Sequence, residues 1–136
     1  MSSFTVIRTS ELHVTSGSDI ITYETEEFDI NNDMDHESGV FTCTIAGYYY
    51  FSFSFWPSMG YPVKIYLYQN VTNVKARLIC AADTDKSGGR YSTKTMGVTV
   101  HMQIGDAVHL RAHSETNIAG SSYPHNIFTG FLVHAT

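Results

Sequence analysis

The strongest constraint on this chain is a two-residue hydrophobic period near its middle. After Gly47, the side chains of Tyr49, Phe51, Phe53 and Phe55 recur at every second position. In an extended strand that spacing puts all of them on one face, whereas a helix would scatter them around its axis. The same alternation sets Val63, Ile65 and Leu67 against Lys64, Tyr66 and Tyr68, and Val74, Ala76, Leu78 and Cys80 against Lys75 and Arg77. It sets Val98, Val100, Met102 and Ile104 against Thr99, His101 and Gln103, and Val108, Leu110 and Ala112 against His109, Arg111 and His113. Phe41, Cys43 and Ile45 share a side earlier in the chain, and Phe128, Gly130 and Leu132 close the pattern. Turn-rich clusters at 15–19, 31–39, 57–61, 83–89 and 115–125 separate the runs, and no window sustains a helical period. Short strands with frequent turns predict an all-β sandwich or jelly roll. With no linker, repeat or low-complexity block, residues 1–136 read as a single domain.

Composition supports a folded strand protein. The chain is 43% apolar and only 15% charged, which excludes intrinsic disorder. Nine Tyr and eight Phe favour strands. A net charge of −5 argues against a nucleic-acid partner. Nine of the 13 acids lie within residues 1–37 beside one base, Arg8, so a solvated acidic stretch precedes a mildly basic remainder. No run approaches the ~20 apolar residues of a membrane span, and no charged-then-apolar leader opens these residues, so membrane insertion is not expected. Two cysteines are too few for a disulfide framework or a structural zinc site. They allow either a Cys43–Cys80 bridge or two buried thiols. Asn70-Val71-Thr72 fits the glycosylation triplet, making Asn70 a sugar acceptor in a secreted protein.

The face opposite the four core rings is unusual. Tyr48, Tyr50, Ser52, Ser54 and Trp56 carry no charge, and Phe131 and Val133 likewise point away from Phe128 and Leu132. Exposed apolar residues of this kind predict a partner surface, with self-association the first expectation.

Chemistry-bearing motifs are sparse. There is no Gly-x-Ser-x-Gly elbow, His-Glu-x-x-His, Cys-x-x-Cys or phosphate-cradling glycine loop, so an enzyme is not expected. Seven histidines invite a metal reading. A hairpin around Gly105-Asp106 would align His101, His109 and His113 as a zinc or copper cluster. The oxygen-rich stretch Asp33 to Gly39 lacks the glycine position and terminal glutamate of an EF-hand and reads as a solvated turn.

Tyr23, Asp29, Met34, Phe41, Gly47, Tyr49, Phe51 and Phe53 fall at the spacing of a known pattern. The stretches Asp35-His36-Glu37-Ser38-Gly39-Val40-Phe41-Thr42-Cys43, Thr95-Met96-Gly97-Val98, Gly105-Asp106-Ala107-Val108-His109-Leu110 and Phe128-Thr129-Gly130-Phe131-Leu132-Val133 follow it in order. Over nearly its whole length the chain resembles the globular head domain of complement C1q. The resemblance implies an all-β, ten-stranded jelly-roll sandwich of the tumour-necrosis-factor type, assembled as a homotrimer through Tyr48, Tyr50, Phe131 and Val133. It also implies that the two strands around Gly105-Asp106 belong to opposite sheets, which disperses the histidines and leaves them on the surface. Complement heads pair a cysteine near the position of Cys80 with one on the preceding strand. Lys64 stands where that partner is expected, so the resemblance implies no bridge here.

A secreted, extracellular recognition module is the role the resemblance implies. Its trimer would bind microbial or cell-surface ligands, such as carbohydrate, lipopolysaccharide or immune complexes, multivalently in innate immunity. Candidate contacts for anionic groups are Arg77, Lys75, Lys86, Arg90 and Arg111, and those for sugar faces are Trp56, Tyr61, Tyr91 and Tyr123. Some complement-type heads hold calcium with loop acids after the strand bearing Cys80, which here points to Asp83 and Asp85. The alternative is a trimeric signalling ligand or matrix component that binds a protein receptor.

Overall fold

A computed structural model describes residues 1–58, 63–71, 77–84, 94–114, 116–120 and 126–136. The strands are β1 (Ser3–Arg8), β2 (Leu12–His13), β3 (Ser18–Ile20), β4 (Thr25–Ile30), β5 (Met34–Asp35), β6 (Val40–Thr42) and β7 (Gly47–Phe55). They continue with β8 (Val63–Asn70), β9 (Arg77–Thr84), β10 (Lys94–Met102), β11 (Ala107–His113), β12 (Asn117–Ile118) and β13 (Asn126–Ala135). One sheet runs β10-β7-β13-β1-β4. The second runs β5-β6-β11-β8-β9, with β3 added alongside β11, and β2 pairs with β12. The main strands thus form the two five-stranded layers of a jelly roll, and these pairings are all antiparallel.

The aromatic strand sits between β10 and β13 and supplies the core as its alternation predicts. Tyr49, Phe51, Phe53 and Phe55 are all buried. Phe4 of β1 lies between the layers, stacked on Phe41 at 5.3 Å and edge-on to Phe128 at 5.1 Å. Gly130 permits that closeness, because a Cβ there would meet the Phe51 and Phe4 rings at 2.6 and 2.7 Å. Polar groups inside the sandwich are matched. The buried Gln69 amide donates to the His101 carbonyl across the sheets, and Asn126 accepts from the Trp56 N–H while donating to the Ala119 carbonyl. Arg8, also buried, donates to the carbonyls of Ser10, Thr22 and Glu11, so its charge holds loop backbone in place.

Several expectations need correction. Ile104 lies beyond the end of β10 in the turn to β11 and is 68% exposed, outside the core. Leu78 is 51% exposed because of a bulge. Between Leu67 and Tyr68 the pairing jumps from Cys80 to Leu78, leaving Ile79 as the extra residue and turning Leu78 to the opposite face. Cys80 pairs with Leu67, whereas Lys64 pairs with Asp83, so Lys64 does not occupy the cross-strand position facing Cys80. Cys43 is a free, buried thiol, which removes the Cys43–Cys80 bridge; burial pushes its pKa up. His109 is buried and is no surface histidine. The stretch after Asn32 is more than a solvated turn. Asp33 is buried, its carboxylate accepting from Ser2, Asn31 and Thr44, and β5 pairs with β6.

Candidate functional site

Among the described residues, two outward sheet faces and a cleft present surfaces of distinct chemistry. The outer face of the β10-β7-β13-β1-β4 sheet is read row by row from the strand register. One row is Ile30, Ser3, Phe131, Tyr50 and Thr99. The next is Phe28, Thr5, Thr129, Ser52 and Gly97, and a third is Thr25, Ile7, Ile127, Ser54 and Thr95. None of these side chains is charged. Phe28, Ile30, Tyr48, Phe131 and Val133 are the large apolar residues left exposed on this sheet. Tyr50 lies against Phe131 at 5.6 Å between ring centroids, and its hydroxyl rests over Gly97, where a Cβ would collide with it. The Tyr48 ring packs at a tilt against His101, 4.7 Å between centroids. Val133 is the bulged residue between Leu132 and His134, which keeps it outward beside Phe131. The four expected contact residues Tyr48, Tyr50, Phe131 and Val133 are therefore gathered on one apolar sheet face.

The second sheet presents different chemistry. In register, His109 stands opposite Tyr68, and Arg111 stands opposite Tyr66 and Ile20. The Arg111 Nε–H donates to His109 Nε2 at 3.1 Å, and its Nη1 donates to the Ser18 hydroxyl at 3.1 Å. The Tyr68 hydroxyl and His113 Nε2 share a hydrogen bond at 3.1 Å, and the His113 ring lies 4.2 Å from that of Tyr66. Tyr68 stacks on His109 at 5.8 Å. Since His109 Nε2 accepts, its proton resides on Nδ1, which is buried and has no hydrogen-bond partner. Burial first, and the Arg111 charge second, lower the His109 pKa to about 4. The imidazole is thus neutral beside a fixed cation.

A cleft of about 580 Å³ opens at the β4–β5 end, where Glu26, Asp33, Asp35, Glu37 and His36 line it. His36 Nδ1 lies 3.9 Å from Glu26.

The sequence-derived contacts fare unevenly. Arg111 is half-buried on the outer face of the second sheet, whereas half-buried Trp56 directly follows β7 of the first, so the structure does not bring them together. Lys75, Lys86, Arg90, Tyr61, Tyr91, Tyr123 and Asp85 lie outside the described residues. Arg77 and Asp83 belong to β9 by their backbone, and only their backbone is described. Asn70 is exposed at the end of β8, where an attached sugar would have room. Among the described residues no group of three or more His, Cys, Asp or Glu is placed to hold a metal. His101 is on one sheet and His109 and His113 on the other, as the jelly roll requires. Alternation already sets His109 and His113 on the Arg111 side of β11, but no local sequence pattern brings Tyr66 and Tyr68 to them.

The fold is a two-layer antiparallel jelly roll, the architecture of a β-sandwich domain. Residues 3–133 match the C1q domain model, and the chain belongs to the C1q domain family. It is 26% identical over 113 residues to a complement C1q subcomponent of Rattus norvegicus, covering 83% of this chain and 44% of that protein. It is 29% identical over 108 residues to protein HP-25 homolog 2 of Bos taurus, covering 77% and 47% respectively. The chain thus spans less than half the length of these curated relatives. Among solved structures, the globular domain of zebrafish complement 1qA protein overlays with a TM-score of 0.80 at 19% identity, covering 100% of both chains. Murine APRIL overlays with a TM-score of 0.72 at 10% identity, covering 95% of both chains. These overlays establish the fold that C1q heads share with APRIL.

Proposed function

We propose that this C1q domain is a secreted, homotrimeric recognition head of innate immunity and no enzyme. It binds carbohydrate, lipopolysaccharide or immune-complex ligands on microbial or cell surfaces. The observation that carries the reading is the set of three uncharged rows across the outer face of the β10-β7-β13-β1-β4 sheet, with Tyr48, Tyr50, Phe131 and Val133 gathered on that face. An apolar face of this kind is stabilised by burial against copies of itself. Assembly leaves the opposite sheet outward in each copy, so weak contacts there gain by multivalency. Similarity to a complement C1q subcomponent supports ligand recognition as the task.

The test combines mass in solution with pull-down on whole bacteria and purified lipopolysaccharide, with calcium and then with a chelator. A trimer that binds supports the proposal. Loss of binding on chelation adds calcium, with Asp83 and Asp85 as the next positions to mutate, and indifference to chelation removes the metal. A trimer that ignores every microbial surface but binds host cells saturably replaces recognition with receptor signalling. A monomer overturns the assembly.

A further inference from the structure

We propose that the outer face of the second sheet, centred on Arg111 and flanked by Tyr66, Tyr68, His109 and His113, is a binding site for an acidic saccharide. Arg111 takes its carboxylate or sulfate, and the Tyr66–His113 pair supports its ring. The inference rests on the recognition reading above and specifies the ligand class.

The argument starts from what Arg111 is bonded to. A guanidinium has five N–H donors and no acceptor. Arg8 directs its donors to three backbone carbonyls and is spent on structure. Arg111 is held differently, by the lone pair of a neutral imidazole and by a serine hydroxyl. Among the described residues no carboxylate pairs with it, and Nη2 meets no protein acceptor. The two bonds fix the plane of the guanidinium, and no described carboxylate compensates its charge. A fixed, half-exposed cation with free donors suits bidentate capture of a planar or tetrahedral oxyanion.

His109 makes this possible as a positioning residue. A carboxylate in its place would orient Arg111 equally well but would neutralise it. With Nδ1–H a donor and Nε2 already bonded to Arg111, His109 offers no free acceptor, and among the described residues no carboxylate pairs with Arg111, so the region keeps its positive charge. That selects for an anion and against a cation.

The second half of the ligand follows from the rings. Tyr66 is directly opposite Arg111, and cross-strand neighbours have their Cβ atoms ~5 Å apart. His113 packs on Tyr66 and bonds the Tyr68 hydroxyl, which locks the three rings into one half-exposed group. Rigid rings with polar tips offer contact area at low entropic cost. An oxyanion beside an aromatic support matches a sugar ring bearing an acidic substituent better than a free inorganic ion, which would leave the rings unused.

The experiment measures binding of the full chain to three immobilised hexasaccharides: sulfated and uronate-containing, the same chain desulfated, and a neutral one. Inorganic sulfate serves as competitor. Wild type should bind an acidic hexasaccharide at least tenfold tighter than the neutral one, and sulfate should compete only weakly. Preference between the sulfated and desulfated chains identifies sulfate or carboxylate as the group Arg111 takes. Arg111→Gln should lose at least tenfold for the acidic chains, Arg111→Lys should recover part of it, and Tyr66→Ser should weaken acidic and neutral chains alike. Melting curves confirm that each variant folds. The inference is overturned if no acidic chain binds, if acidic and neutral chains bind equally, or if Arg111→Gln stays within twofold of wild type. If Arg111→Gln still binds bacteria or lipopolysaccharide as wild type does, this site falls while the recognition reading survives. If wild type binds neither sugars nor microbial surfaces, both fall.

Discussion

Tyrosine stands on both outward faces of the sandwich, and its neighbours decide what it does there. Tyr50 lies against Phe131 and over Gly97, in register rows that contain no charged side chain. Tyr66 and Tyr68 lie across from Arg111 and His109, tied to His113 by ring contact and hydrogen bond. The first setting removes every reason to stay in water except the hydroxyl itself, so burial against another apolar face is favourable. The second keeps a cation and half-exposed polar tips at the surface, where complete burial would cost desolvation. One sheet face is therefore suited to assembly and the other to a polar ligand.

Placing charge on the apolar face should break this division most severely. Tyr50→Glu or Phe131→Glu would bury an unpaired carboxylate in the proposed contact, at a cost of about 3–5 kcal/mol. Light scattering should show the trimer mass falling to that of the monomer, while far-ultraviolet dichroism keeps its strand signature. Unchanged mass for both variants would show that this face does not carry the assembly.

The opposite face should show itself through pH. His109 has a folded pKa of about 4 against an ordinary value of 6.5, because it is buried and adjoins Arg111. Above pH 6.5 both states hold a neutral ring, and the group leaves stability independent of pH. Between 6.5 and about 4 the unfolded chain binds a proton that the folded chain refuses, so stability falls as pH falls. The loss is complete below about 4 and amounts to at most roughly 3 kcal/mol, less to the extent that water screens the ring. Denaturant melts from pH 7.5 to 4 should record it, and His109→Gln, which preserves an acceptor for Arg111, should flatten the curve. Parallel curves for the two proteins would mean that His109 is not shielded as described.

A gentler variant sharpens the role of Tyr50 without adding charge. The Gly97→Ala methyl would collide with the Tyr50 hydroxyl end, which must swing away from Phe131. The displacement should cost about 1 kcal/mol of association, which is roughly fivefold in the dissociation constant. The melting temperature of the dissociated protein should hardly move, because Gly97 is exposed and its Cβ would point to the outer face, at the Tyr50 ring. Sedimentation across a concentration series reads the two effects separately.

Much of this division is legible in the sequence, and the losses have physical causes. Alternation in 49–55 and 98–102 places core residues correctly because both strands are paired along their full length. Tyr50 and Phe131 stand out because uncharged aromatic residues opposite a core face are rare on a free surface. β1 and β4 give no comparable signal: β4 is an edge strand with Glu26 and Glu27 exposed, and its pattern TEEFDI has no buried side to advertise. The group around Arg111 needs the pairing of β8 with β11, residues 45 apart at the Tyr68–His113 bond, and local periodicity carries no such information. His109 reads as a surface residue because alternation gives only the side of a strand, and neighbours on that side can still bury it.

The smallest expected effect tests the bulge that alternation cannot show. On strict alternation Leu78 shares the core side with Cys80, and truncating it would cost the roughly 2–5 kcal/mol typical of a buried leucine. In the structure Ile79 is an added residue, so Leu78 pairs with Tyr68 on the outer face and stays 51% exposed. Leu78→Ser should then change stability by less than about 0.5 kcal/mol, the range of ordinary surface substitutions. Leu67, paired with Cys80 and fully buried, supplies the contrast, since Leu67→Ala should show the full core penalty. Equal losses for the two variants in urea melts would return Leu78 to the core, remove the bulge, and shift the register of β9 against Tyr68. The outer face around Arg111 would then have a different neighbour at its β9 border, so this near-silent substitution bears on the polar half of the comparison as directly as Tyr50→Glu bears on the apolar half.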